Sequence, residues 1–314
     1  MENNQLWRTG LLLGALYIAG ITFTAFVPYL ALVTMFLLPV PVMFFVYKHE
    51  RKPILVYILL TSLLSIVIGS IGVIPIVAIT MIAGYIIGTS LKQKWPYLTT
   101  FMAVSMSFLV SFVLSYALIS VVANINVFQE LITAVEQSVE DSMATFENLD
   151  EETRQGLEEQ VEQIPQVIQT LIPSALALTS AVAGFLMILI AFVFGKRKGL
   201  PVPKAPSLAS ISLPRSIIWY YLIVLLLLLF GPVESGTYLD TALANLQFML
   251  RVLLFVQGIT FLFFLAQWKK WPKALPILIS FFTVIFFPLV QIVVFFGIMD
   301  LGLQLRQRLT AQKK

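Results

Sequence analysis

The most regular feature of this chain is a succession of long apolar runs separated by short polar or basic segments. A membrane-spanning helix needs about 20 mostly apolar residues, and eight runs reach or approach that length: residues 9–27, 29–47, 54–69, 71–91, 97–122, 172–194, 216–232 and 243–266. A ninth run, 274–303, contains Pro288, which can bend it into two arms. The pattern predicts an all-α, polytopic integral membrane helix bundle of eight spans plus a final bent or re-entrant segment.

A long polar stretch lies between the fifth and sixth runs, and it is strongly acidic. Eleven of the sixteen carboxylates of the chain fall within residues 130–162. Apolar residues recur there at intervals of three and four, as they do along one face of a helix. Residues 124–171 are therefore expected to form an exterior acidic hairpin of two amphipathic helices, the second capped by Asp150. The acidic face is either simply solvated or a surface for a partner or cations.

Basic residues predict the orientation, because cytoplasmic loops carry an excess of Lys and Arg. With a cytoplasmic amino terminus and five spans before the acidic stretch, a single crossing by 274–303 places 14 basic residues inside and 5 outside. If that run bends at Pro288 and crosses twice, the tally becomes 18 inside and 1 outside. We therefore prefer the bent form. Both termini are then cytoplasmic, in a bacterial plasma membrane, and residues 124–171 are extracytoplasmic.

These elements divide the chain into five parts. Residues 1–123 are predicted to form a five-span bundle, 124–171 the exterior hairpin, 172–194 the sixth span, 195–215 a basic, Pro-rich cytoplasmic linker, and 216–314 the carboxy-terminal membrane hairpins with a basic tail. The lipid bilayer is the first partner that this division predicts.

Composition agrees with a membrane protein and narrows the chemistry. The chain is 59% hydrophobic and 11% charged, whereas soluble domains are about 45–50% apolar and about 25% charged. It has no cysteine and one histidine, so disulfides, thiolate zinc sites and multi-histidine metal sites are excluded. Nucleic acid is not an expected partner, because the basic residues form short clusters between apolar runs. No phosphate-binding loop, nucleophile elbow or zinc-protease motif occurs, so we predict no enzyme, no cofactor and no metal.

Two ionisable residues are expected at membrane depth, where each costs about 2.5–3.5 kcal/mol at the centre of the bilayer. Arg251 can snorkel, pair with Glu234 or Asp240, or anchor an anionic ligand with Gln247 one turn earlier. Asp300 lies close enough in sequence to be neutralised by Arg306 or Arg308. Gln257 is flanked in sequence by apolar residues, so its side chain is expected to be buried and needs a hydrogen-bond partner. The predicted ligand-binding residues are therefore Gln247, Arg251, Gln257 and Asp300.

Small residues and prolines mark sites of close helix packing or of helix breaks. Ala15 and Ala19 form a stripe on the first span that can contact a partner helix. Pro39 and Pro41 disturb the second span and either kink it or free carbonyls to line a cavity. His49 lies in a basic loop and is expected to be a solvated member of that cluster.

Three segments carry a resemblance to a known family. They are Leu171-Ile-Pro173-Ser-Ala, Val256-Gln257-Gly258 and the tail Gly297-Ile-Met-Asp300-Leu-Gly-Leu-Gln-Leu-Arg306-Gln-Arg308. With them the whole chain resembles the YybS family of Bacillus-type membrane proteins. The resemblance implies a multi-pass membrane protein and implies no particular reaction.

The amino-terminal half also resembles, more weakly, the S components of energy-coupling-factor transporters. The likeness lies in the order of elements: a first helix with the Ala15 and Ala19 stripe, a second helix with Pro39 and Pro41, and then glycine-containing hairpins. In S components the alanine stripe faces a coupling subunit. The resemblance implies that Ala15 and Ala19 dock a partner, although S components lack the acidic hairpin and the extra carboxy-terminal spans.

These observations lead to three functional hypotheses. The first is a plasma-membrane protein that binds a small solute or lipid-like ligand in an S-component-like bundle and works in transport with partner subunits. It predicts a polar-lined cavity that opens outward beneath the acidic hairpin. The second is a cell-envelope scaffold or assembly protein without a ligand, and the third is an integral-membrane enzyme acting on lipid.

Overall fold

A computed structural model describes residues 2–123, 126–145, 163–234 and 236–311. No β-strand occurs within these ranges. Their helices are α1 Glu2–Phe26, α2 Pro28–Leu37, α3 Pro39–Lys48, α4 Arg51–Gly69, α5 Ile74–Lys92, α6 Tyr97–Ala123, α7 Val127–Thr145, α8 Ile164–Arg197, α9 Ser216–Phe230, α10 Tyr238–Trp268, α11 Ala274–Ile285, α12 Phe287–Leu303 and α13 Leu305–Ala311. The predicted all-α class is confirmed.

Many of these helices suit a bilayer in both length and surface. In the described ranges, seven helices are long and apolar enough to cross a membrane, and the number is eight if the bent pair Pro288–Leu303 and Leu305–Ala311 is counted as one span. Large apolar side chains such as Leu12, Leu59 and Leu114 are exposed along these helices, as expected for contact with lipid. The prediction of a polytopic membrane bundle is confirmed. The run 216–232 forms only the 15-residue helix α9, which is about 22 Å long and shorter than the hydrocarbon core.

The chain folds into two compact units. The first comprises Met1–Ser138 and Leu176–Lys204, and the second comprises Val139–Ala175 and Ala205–Lys314. In the first unit, a buried cluster around Met43, Ile87 and Met187 joins α3, α5, α6 and α8. In the second unit, a core around Leu254 joins α9, α10 and α12.

Glycines allow α3 and α5 to pack closely in the first unit. A Cβ atom added at Gly84 would lie 2.8 Å from the carbonyl oxygen of Pro39, and one at Gly88 would lie 2.8 Å from that of Met43. Close approach through small residues is how membrane helices gain packing energy without a hydrophobic driving force. The second span is interrupted at Leu38, immediately before Pro39. The prolines thus mark a break in a buried, packed segment.

The two units share one kind of helix-ending turn. In the first unit, Lys94 has a left-handed backbone and the amide of Trp95 donates to the carbonyl of Ser90 at 2.9 Å. In the second unit, Lys270 is also left-handed and the amide of Trp271 donates to the carbonyl of Ala266 at 2.8 Å. A proline follows each tryptophan. These turns end α5 and α10 sharply and place basic and aromatic residues together, as at membrane surfaces.

The acidic stretch is described in its first half. The helix α7 begins after Asn126, whose side-chain oxygen accepts from the amide of Gln129 at 3.2 Å and from the hydroxyl of Tyr116 at 3.1 Å. The first predicted amphipathic helix is therefore present. The second helix, with its Asp150 cap, lies outside the described residues.

The final apolar run is broken twice. The backbone of Phe286 is extended, which separates α11 from α12 and places Pro288 in the first turn of α12, where proline is well tolerated. Gln304 adopts a left-handed conformation, and the chain turns by 62° between α12 and α13. The break predicted at Pro288 thus occurs two residues earlier, and the turn at Gln304 was not predicted.

His49, expected to be a solvated member of the basic cluster, is instead half-buried in the loop between α3 and α4. Its ring lies against Phe45 with the ring centroids 4.4 Å apart, and its Nε2 is buried without a hydrogen-bond partner. Loss of solvation, followed by repulsion from Lys48 and Lys92, lowers the pKa of His49 below its ordinary value. The folded protein therefore favours the neutral ring.

Stability is expected to depend on the protonation of His49. Because its pKa is lowered in the folded state, the unfolded chain binds more protons below about pH 6.5, and stability falls as the pH drops from there through the folded pKa. His49→Gln should flatten this dependence. His49 is the only histidine of the chain, so its imidazole NMR signals report the pKa without overlap. An unshifted or raised pKa would contradict the prediction.

Candidate functional site

The four residues predicted to bind a ligand lie in the second unit and form two separate groups. Gln247 and Arg251 lie one turn apart on α10 and line a cleft with the first part of α8. Gln257 and Asp300 are hydrogen-bonded to each other in a buried network of α10 and α12. The structure therefore brings the residues together in pairs rather than in one site.

Asn245 attaches the first part of α8 to α10. Pro173 lies inside α8 and has no N–H to donate to the preceding turn. Beside it, the backbone amide of Ser174 donates to the side-chain oxygen of Asn245 at 3.0 Å, and the Asn245 amide donates to the carbonyl of Thr170 at 2.7 Å. The Asn245 side chain thus replaces the helical hydrogen bond between residues 174 and 170. This fixes one wall of the cleft.

The cleft has a volume of about 460 Å³. Apolar side chains line it together with amides, a hydroxyl and one guanidinium; the lining residues are Gln163, Gln166, Val167, Thr170, Leu171, Ala244, Gln247, Phe248 and Arg251. Arg251 is half-buried near the middle of the 31-residue helix α10. Among the described residues its guanidinium has no hydrogen bond and no ion pair.

The predicted carboxylate partners of Arg251 are engaged elsewhere or do not reach it. Asp240 accepts from the amide of Gly236 at 3.0 Å, while its own amide donates to the hydroxyl of Thr237 at 3.3 Å. These bonds cap the first turn of α10, where a negative charge is favourable. Glu234 forms no ion pair with Arg251 in the part of the chain that is described. The pairing of Arg251 with Glu234 or Asp240, one of the alternatives considered, is not observed, and among the described residues no carboxylate offsets the positive charge in the cleft.

The second group is centred on the guanidinium of Arg306. Its Nε donates to Asp300 Oδ2 at 2.7 Å, and one terminal nitrogen donates to the carbonyls of Ala209 and Ile211 at 3.0 and 2.7 Å. The other terminal nitrogen donates to the hydroxyl of Thr260 at 2.8 Å. The left-handed turn at Gln304 makes this possible, because it directs Arg306 back toward Asp300. The predicted neutralisation of Asp300 by Arg306 is observed.

Gln257 completes this network from α10. Its side-chain nitrogen donates to Asp300 Oδ2 at 2.5 Å, and its oxygen accepts from the backbone amide of Leu213 at 2.8 Å. Gln257 is fully buried and Asp300 is 4% exposed. Buried polar groups are costly unless they are hydrogen-bonded, and here both groups are bonded. The network holds the linker preceding α9 against α10 and α12.

The structure also shows where the other predicted features lie. Ala15 and Ala19 are exposed on α1. Within the described ranges, no three His, Cys, Asp or Glu residues lie close enough to hold a metal ion. Sequence reasoning missed Asn245 and three cleft residues: Gln163, just before α8, and Gln166 and Thr170 of α8. The signal for Asn245 was a polar amide in an apolar helix, and its partners Thr170 and Ser174 are distant in sequence.

Comparison with known proteins agrees with this architecture. A family model described as a predicted membrane protein, DUF2232, matches residues 15–301. The chain belongs to this DUF2232 family. The matched range includes both Arg251 and the Gln257–Asp300 pair, although the description of the family names no activity.

One curated relative of this DUF2232 chain is the uncharacterized protein YybS of Bacillus subtilis (strain 168). It is 24% identical over 314 residues, and the alignment covers 98% of this chain and 99% of the relative. The resemblance to the YybS family is therefore confirmed. No solved structure gives a significant match.

Proposed function

We propose that this protein resides in the bacterial plasma membrane with cytoplasmic termini and binds a small anionic solute or lipid-like ligand in the Arg251 cleft. Transport of that ligand depends on separate partner subunits, since the sequence contains no phosphate-binding loop for nucleotide hydrolysis. The protein itself performs no covalent chemistry. The S-component-like order of the first helices supports a role in transport.

The observation that carries the proposal is the guanidinium of Arg251, which has no hydrogen bond and no ion pair among the described residues. A charged group held within a membrane-spanning helix is costly and is commonly found on an ion or substrate pathway. A guanidinium presents donors in a planar fork that matches a carboxylate or phosphate. An anionic ligand would therefore satisfy both the charge and the hydrogen-bonding capacity of Arg251.

The rest of the cleft suits the same ligand class. Ligand pockets are commonly about 300–1,000 Å³, mostly apolar with a few polar groups, and this cleft of about 460 Å³ lies in that range. Gln166, Thr170 and Gln247 offer amides and a hydroxyl that can bond the polar atoms of a ligand. The acidic stretch immediately precedes the α8 wall in sequence, which agrees with an extracytoplasmic opening.

Native mass spectrometry of the protein purified in mild detergent tests this proposal. Wild-type protein is expected to retain a small anionic molecule, and Arg251→Gln should lower its affinity about 10- to 100-fold, because a hydrogen bond to a charged group contributes about 1.5–3 kcal/mol. The exposed Arg308→Gln is the matched control and should retain the ligand. Equal retention by Arg251→Gln, or no retained ligand in the wild type, would contradict the proposal. The same spectra report bound partner subunits.

A further inference from the structure

A second concave surface lies in the first unit, between α1 and α4. It is a groove of about 540 Å³ lined almost entirely by apolar side chains. One of its ends is marked by Trp7, Lys52 and Pro53, and the other by Ile18 and Leu64. Gly10 and Gly14 line its floor, and the absence of side chains there deepens the groove. We call this surface the α1/α4 groove.

The dimensions of the α1/α4 groove match a lipid chain. From Trp7 to Ile18 the helix α1 rises by about 17 Å, at 1.5 Å per residue. The hydrocarbon core of a bilayer is about 30 Å thick, so one leaflet is about 15 Å. The groove therefore extends for about the depth of one leaflet.

Charge and aromatic residues define the headgroup end. Among the described residues that line the groove, Lys52 is the only charged one, and it is exposed. Three more basic residues are exposed near this end of the helices: Arg8 in the first turns of α1, Lys48 at the end of α3 and Arg51 at the start of α4. Trp7 is 58% exposed, and tryptophan prefers the depth of the headgroups. An anionic headgroup is complementary to this end.

Tyr57 forms part of the wall of the same groove. It is 5% exposed, and its hydroxyl is buried without a hydrogen-bond partner among the described residues. Its ring is held by stacking on Phe45, with the centroids 4.1 Å apart. The hydroxyl has no surface open to the groove, so an occupant meets the hydrocarbon part of Tyr57.

We propose that the α1/α4 groove binds one anionic glycerophospholipid. One acyl chain lies along Gly10 and Gly14, and the phosphate lies at Lys52. Neither the Arg251 cleft nor its ligand enters into this proposal.

Lipid titration of the full-length, delipidated protein tests the site. Binding of phosphatidylglycerol and of phosphatidylcholine with the same acyl chains would be measured by native mass spectrometry. The wild type is expected to prefer phosphatidylglycerol about tenfold. Lys52→Gln should remove this preference without lowering the thermal stability of the protein. Equal binding of the two lipids by the wild type would overturn the proposal.

A matched pair of variants tests the position of the chain. Ala15 is exposed and lines the groove, whereas Ala19 is exposed on the same helix outside it. Ala15→Phe should fill the groove and abolish binding of phosphatidylglycerol, and Ala19→Phe should leave it unchanged. Undiminished binding by Ala15→Phe would overturn the proposal. A second result would also overturn the proposal: a polypeptide that co-purifies with the wild type, in the absence of bound lipid, and that Ala15→Phe releases. A partner helix would then be the occupant of the groove.

Discussion

Replacement of Arg306 by alanine is expected to lower the free energy of unfolding by about 3–5 kcal/mol, the range for removing one partner of a buried ion pair. The expected loss is large because Asp300, which is 4% exposed, would remain buried without its ion-pair partner. The carbonyls of Ala209 and Ile211 would lose their donors in the same step. Stacking of the guanidinium over Phe264, with its carbon 5.4 Å from the ring centroid, would also be lost.

Unfolding of the purified protein in mixed detergent micelles measures this effect. Arg308→Ala is the matched control, because Arg308 is exposed on the same short helix α13, and it should change stability by no more than about 0.5 kcal/mol. Replacing both Arg306 and Asp300 by leucine should restore part of the loss, since no unpaired charge remains. If Arg306→Ala were as stable as Arg308→Ala, the network would not be a source of stability.

The helices were largely predictable from sequence because lipid imposes a simple rule on them. A span must be long, apolar and internally hydrogen-bonded, so hydropathy alone locates it. The pairing of Asp300 with Arg306 was also predictable, because the two residues are close in sequence. What the sequence did not reveal was the left-handed turn at Gln304 that makes the pairing geometrically possible, since no glycine marks it.

The cleft was harder to predict because it depends on which helices meet. Gln247 and Arg251 share a helical face, and their proximity follows from the periodicity of α10. The opposite wall comes from α8, and the hydrogen bonds that fix it join Asn245 to Thr170 and Ser174 across more than 70 residues of chain. Apolar periodicity on membrane helices does not specify such pairings, because almost every face is apolar. Polar residues inside apolar helices are the better guide.

The interface between α10 and α12 was equally hard to predict from the sequence. Two glycines lie there, at positions where the facing helix leaves little space for a side chain. Gly258 of α10 faces the backbone of Val293, and Gly297 of α12 faces the backbone of Leu254. A Cβ atom at either glycine would collide with a carbonyl oxygen of the other helix. A backbone atom cannot rotate away as a side chain can, so the helices would have to separate.

Gly258→Ala and Gly297→Ala are therefore each expected to destabilise the protein by about 1–3 kcal/mol or more, the usual cost of overpacking. Gly302→Ala is the control within α12, because a Cβ atom there would meet Ile218 Cδ1 at an ordinary 3.6 Å. It should be neutral or stabilising by up to about 1 kcal/mol, since alanine favours helix more than glycine does. Unfolding in mixed micelles compares the three variants.

The two harmful substitutions should not be additive, because they separate the same pair of helices. Separation would also displace Gln257, the neighbour of Gly258, from Asp300, three residues after Gly297. The double variant is therefore expected to lose little more stability than the worse single variant, and Arg306→Ala should cost less in that background than in the wild type. Full additivity of Gly258→Ala and Gly297→Ala, or stability of either equal to that of Gly302→Ala, would show that the close contact between α10 and α12 does not position the buried network.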